Sequence, residues 1–244
     1  MKFSKGWVVA LAAVALAAYA APAARADTGT FASFQEVDTA TNSDQLDFNN
    51  NGRGGSHAQG ELTNGPANGV AIDFRYVTGG IIGSLPPSLT GDIAAHMFVN
   101  LKTGGSAMNA AGFGIQPLMT GTVSIIRDSD HKNLLTAKFD SSLSGALGGT
   151  TAGESASTSA GNTITFSSDF IHFPSPADNG VSWSMTSVDP KLAIAGNGLL
   201  RSFTSFVTGS FSSVPTPEPG TLALAFSALP VLGLVALRRR RNRV

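Results

Sequence analysis

Residues 70–76 read Val-Ala-Ile-Asp-Phe-Arg-Tyr. Val70, Ile72, Phe74 and Tyr76 alternate with Ala71, Asp73 and Arg75. Successive side chains of a strand point to opposite faces, so this stretch has one dry face and one wet face. The same period of two recurs along the chain. Met97, Val99 and Leu101 alternate with Phe98, Asn100 and Lys102. Leu135, Ala137 and Phe139 alternate with Thr136 and Lys138, and Val181, Trp183 and Met185 with Ser182, Ser184 and Thr186. Each stretch predicts a half-buried strand.

Phe31 to Val37 reads as a first strand and Phe203 to Phe211 as a last one. Ile164-Thr165-Phe166 and Ile171-His172-Phe173 are out of phase, which predicts a bulge over 167–170. Arg127 to Asn133 is polar between apolar flanks and predicts a hairpin loop. Thr28-Gly29, Thr120-Gly121 and Thr208-Gly209 resemble one another and are read as strand starts. Nothing between Asp27 and Ser213 has helical periodicity. About eight short strands with Gly, Pro and Asn punctuation predict an all-β domain, an antiparallel β-sandwich or jelly roll, over 27–213. Two stretches resist this reading. Thr39 to Asn68 is rich in Asn and Gly, and Ser141 to Asn162 in Gly, Ala, Ser and Thr. Both are expected to be loops, the second a mobile one.

The formal net charge of zero conceals a division. Three basic residues stand at positions 2, 5 and 25, and five arginines close the chain. Between Asp27 and Thr216 eight basic residues face 15 acidic ones, a balance of −7. Such a domain repels phosphates and is no nucleic-acid binder. The chain has no cysteine, so it has no disulfide, no thiolate nucleophile and no cysteine metal ligand. Thirteen of its 15 phenylalanines lie in this acidic part and are expected to build its core.

The two ends are different in kind. Lys2 and Lys5 precede an almost unbroken Val, Ala and Leu run from Trp7 to Ala21. Ala24 and Ala26 then form a small-x-small cleavage pattern, so 1–26 reads as a secretory signal peptide. At the far end, Thr221 to Leu237 is an apolar stretch of 17 residues. As a helix it spans about 25 Å against a hydrocarbon core of roughly 30 Å, a minimal crossing. Arg238, Arg239, Arg240, Arg241 and Arg243, in the tail 238–244, each cost about 2.5–3.5 kcal/mol to bring to mid-membrane. They are read as a stop-transfer cluster that holds a short tail in the cytoplasm while the domain lies outside.

Between domain and span lies the linker 214–220. Pro215, Pro217 and Pro219 hold it extended, and Glu218 is the one charge between Arg201 and Arg238. Pro217-Glu218-Pro219, an apolar span and terminal arginines together resemble the PEP-CTERM sorting signal, over about the last thirty residues. The resemblance implies recognition of the tripeptide by exosortase, an integral-membrane cysteine transpeptidase. It further implies removal of the tail and delivery to the cell surface or an exopolysaccharide matrix. It carries no implication for the fold of the domain.

Chemical motifs are sparse. Asp47, Asn49 and Asn51, with Gly52 next, match the first half of a calcium loop. Ala58 stands where that loop needs a bidentate Glu, so a plain turn competes with the calcium reading and no other cofactor is expected. His57, His96, His131 and His172 are scattered, and no nucleophile elbow, zinc-protease or phosphate-loop motif occurs. Trp183 and Tyr76 lie on apolar strand faces and are assigned to the core, not to a sugar platform. The leading expectation is an exported, non-catalytic surface or matrix protein. Its partners would be signal peptidase, exosortase and the membrane. A polysaccharide-binding module is the alternative, and a secreted hydrolase a more distant one.

Overall fold

A computed structural model of the chain describes residues 29–37, 45–65, 67–77, 82, 85–173 and 177–215. Among these residues twelve strands form one antiparallel sheet. They are β1 (Gly29–Glu36), β2 (Leu46–Asn50), β3 (Gly60–Asn64), β4 (Val70–Tyr76), β5 (Ile93–Lys102) and β6 (Met108–Ala110). The remainder are β7 (Phe113–Arg127), β8 (Asn133–Ala146), β9 (Ala152–Ser157), β10 (Ile164–Ser167), β11 (Ala177–Asp189) and β12 (Phe203–Pro215). Helical structure among the described residues is limited to single 3-10 turns at Gly55–His57, Pro87–Leu89 and Thr158–Ala160.

The all-β expectation holds, but the expected pair of packed sheets is replaced by one sheet that closes on itself. The ladder runs β1–β4–β5–β7–β8–β9–β11–β12 and returns to β1. Inward side chains follow the alternation read from the sequence. Val70, Ile72, Phe74 and Tyr76 are buried, as are Met97, Val99 and Leu101, and Val181, Trp183 and Met185. A sandwich and a barrel demand the same period, so periodicity cannot separate them.

Four long strands, β5, β7, β8 and β12, change partner midway along one edge, and in β5 and β12 a side chain bridges the change. Along one edge β5 pairs with β4 up to Met97 and with β3 from Asn100. Likewise β12 pairs with β2 at Phe203–Ser205 and with β1 from Thr208. In both, the change leaves a backbone N–H between two partners. Val99 donates its N–H to the Asn64 side-chain oxygen at 3.1 Å, and Val207 donates to Glu36 Oε2 at 2.8 Å. One side chain thus replaces a missing ladder bond at each seam.

Inside, Trp183 stands edge-on to Phe34 at 5.7 Å and to Phe139 at 5.9 Å. Such pairs add roughly 0.5–1.5 kcal/mol each beyond burial. The indole fits because Gly209 lies opposite on β12. A Cβ there would come within 2.4 Å of the ring and 2.6 Å of Phe34. Nearer the first residues of β1, Phe31, Phe166, Phe173 and Phe211 form a second aromatic cluster.

Four expectations need correction. Ser141 to Asn162 is no mobile loop: it holds the end of β8, all of β9 and one 3-10 turn. Its small side chains suit a crowded interior that needs space, while composition alone suggests disorder. Thr39 to Asn68 contains the β2–β3 hairpin. The chain after Ser167 does not continue through a bulge as a strand, although Ile171 and Phe173 pack against the core. Thr120-Gly121 and Thr208-Gly209 lie inside β7 and β12, and of the three glycines Gly29 alone begins its strand. The hairpin turn after Arg127 is present as expected.

Replacing a seam side chain strands a backbone donor, at a cost of about 1–3 kcal/mol. Glu36→Ala and Asn64→Ala are each expected to lower the unfolding free energy by that amount, seen as a lower urea midpoint with an unchanged slope. Unchanged midpoints in both would show that water serves the seams equally well.

Candidate functional site

Among the described residues two carboxyls are buried, Glu36 at the β12 seam and Glu154 deeper in the barrel. Glu154 on β9 is 1% exposed and accepts a 2.7 Å bond from Ser141 Oγ on β8. Burial pushes its pKa up to about 8, against a smaller lowering by Ser141. It is therefore a neutral acid at pH 7. Its cross-strand neighbour is Trp183. Neither Glu154 Oε2 nor Trp183 Nε1 has a hydrogen-bond partner among the described residues.

The outer wall presents hydroxyls. Ser142, Ser155, Ser182, Ser210 and Ser33 fall in one row across β8, β9, β11, β12 and β1, with Arg75 next on β4. A second row brings Ser184, Thr208, Gln35 and Asp73 into line. A hollow of about 620 Å³ opens over these rows, rimmed by Arg75 and Asp92. Arg75 grips Asp92 with two bonds, Nε to Oδ1 at 2.8 Å and Nη2 to Oδ2 at 2.9 Å. Both side chains are more than half exposed, so the pair fixes a guanidinium more than it stabilises the fold.

A second hollow, about 530 Å³, lies over β5 and β7. His96, Phe98, Asn68, Asp128 and His131 line it. His96 Nδ1 is 2.7 Å from Asp128 Oδ1, an arrangement that favours the proton on Nδ1 and leaves Nε2 for a ligand. The half-buried ring of Phe98 rests on the backbone at Gly69, where φ is +87° and a Cβ would lie 3.1 Å from the ring. The arrangement combines an aromatic face with polar groups that donate and accept at its border.

The residues singled out from sequence fare differently. Asp47 and Asn49 lie on β2, where alternate side chains stand ~7 Å apart along an extended strand instead of coiling about one centre. Asn51 is engaged within its own loop: its oxygen accepts from the N–H groups of Arg53 and Gln59, and its amide donates to His57 O. The calcium half-loop therefore meets extended backbone. Among the described residues no group of three or more His, Asp or Glu side chains converges as metal ligands do. Ala24, Ala26, Pro217, Glu218, Pro219 and the terminal arginines lie outside the described residues, as does the expected span 221–237. Among the described residues no helix is long and apolar enough to cross a membrane. Trp183 and Tyr76 are core residues, 3% and 4% exposed. Phe98 was legible as an apolar side chain on the wet face of its strand. The serine rows were not, because they exist only once the register between strands is known.

The chain matches no protein-family model, and no curated protein and no solved structure is significantly similar to it.

The neutral carboxyl gives a pH dependence with a definite sign. Its folded pKa lies above the ordinary value of 4.5, so its contribution is complete below pH 4.5 and lost as pH rises towards 8. The slope approaches ~1.4 kcal/mol per pH unit. Glu154→Gln removes the slope, so the variant gains on the wild type as pH rises from 5 to 8 in urea titrations. A difference that stays constant with pH would contradict burial of the neutral acid.

Proposed function

We propose that this is an exported, non-catalytic protein of the cell surface or extracellular matrix, sorted through its C-terminal tripeptide. The supporting observation is the order of three elements: Pro217-Glu218-Pro219, the apolar run 221–237 and the arginine cluster. A signal peptide cut after Ala26 places the domain outside, and the arginines hold the tail inside. The span presents the stiff acidic tripeptide to a membrane enzyme, exosortase by resemblance. Domain geometry is compatible with such a cut. Gly29 pairs with Ser213 and Ala177 with Pro215, so the mature chain enters and leaves the barrel at one pole. Glu218 is three residues beyond the last residue of β12, at most roughly 11 Å of extended chain.

A second reading, a polysaccharide-binding module, is favoured by the two hollows. Hydroxyl rows, an anchored guanidinium and a half-buried ring are groups that meet a hydroxyl-rich ligand. Both readings share export and surface display.

Glu218→Ala in the native host tests the first reading, with intact mass of the protein recovered from membrane and surface fractions. The wild type is expected without residues 1–26 and without its tail, and the variant with the tail retained. Tail removal that proceeds equally in the variant would sink the sorting role of the tripeptide.

A further inference from the structure

The two hollows have no lining residue in common, but exposed Ala94 on β5 stands between them. Gln35, Asp73 and Ala94 stand in one row across β1, β4 and β5. His96, in the second hollow, lies two residues beyond Ala94 on the same outward face, ~7 Å along the strand. Asp73, in the first hollow, is the direct neighbour of Ala94. The lining therefore continues across β11, β12, β1, β4, β5 and β7. Five steps between neighbouring strands make ~24 Å.

We infer that the two hollows form one continuous track, running obliquely across the strands, that seats an extended, uncharged, hydroxyl-rich polymer. This rests on the polysaccharide reading and specifies where such a chain lies and what charge it carries. At one end the serine floor supplies groups that both donate and accept. Arg75, held by Asp92, supplies a fixed donor in the first hollow. At the other end Phe98 supplies a ring face, with His96 and Asn68 beside it. Charge selects against polyanions. Asp73, Asp92 and Asp128 face Arg75, a balance of −2 before the histidines are counted, on a domain already at −7. A polypeptide partner is disfavoured for a different reason. Strand addition needs an unpaired edge, and all six strands of the track have both edges paired. An occupant must bind through side chains.

The test is affinity electrophoresis of the full chain in non-ionic detergent, in gels holding hydroxyethyl cellulose, alginate or no polymer. The neutral glucan is expected to slow the wild type, and alginate is not. Phe98→Ala and Ser182→Glu, at opposite ends of the track, are each expected to weaken retardation about fivefold or more. Lys138→Glu, on the outer face of β8 away from both hollows, is expected to behave as wild type. Near-UV circular dichroism confirms that each variant is folded, and Ser182→Glu carries the test if Phe98→Ala is not. Glucan binding that survives both substitutions overturns the track but leaves the polysaccharide reading standing. Loss with Phe98→Ala alone overturns the joining of the two hollows. Retardation by alginate and not by glucan overturns the charge argument. No retardation by either polymer removes the track and the polysaccharide reading together.

Discussion

Among the described residues a closed ladder gives each of its eight strands a partner on both sides, and much of this barrel accommodates that constraint. An unpaired backbone group in a buried wall is costly. Closure through β5 and β12 requires each strand to serve two partners in succession along one edge. The ladder alone cannot span the change of partner. Asn64 and Glu36 do so with side-chain oxygens, and both are polar residues on strands whose inward neighbours are apolar. Glu36 is buried and Asn64 partly so, each aimed at the donor it serves. Without the seams, the β2–β3 hairpin and the β1–β4 pair could not occupy the same wall at two levels.

Closure also fixes the interior volume, and the side chains divide it unequally. Trp183 reaches across to Phe34 and Phe139, and Gly209 yields the room. Ser141 and Glu154 share a bond in the same enclosed space, with the carboxyl kept protonated by burial. Ser141, Ala152 and Ala156 are thus as much a part of the core as the phenylalanines.

Much of this was legible in the sequence, and the misses share one cause. The alternation in 70–76, 97–102, 135–139 and 181–186 identified the strands and their buried faces, because face is a local property. Trp183 and Tyr76 were assigned to the core on the same ground. What failed depended on the register between distant strands. Ser155 reads as loop composition until Ser182 and Ser210 stand beside it. Glu154 reads as the lone charge of a polar stretch until β8 and β11 enclose it. The choice between two packed sheets and one closed sheet rests on β1 meeting both β4 and β12, which no local pattern encodes. Asp47, Asn49 and Asn51 show the converse: their spacing fits a coil about an ion, but β3 and β12 draw the chain out straight.

The exit of the chain through β12 also decides how the domain carries tension. β12 is bonded to β11 along one edge and to β1 and β2 along the other. A pull on Pro215 runs along the strand axis, at right angles to those bonds, and shears both ladders at once. Peeling would break them one after another. A domain tugged by whatever holds its tail would meet that load with many bonds in parallel.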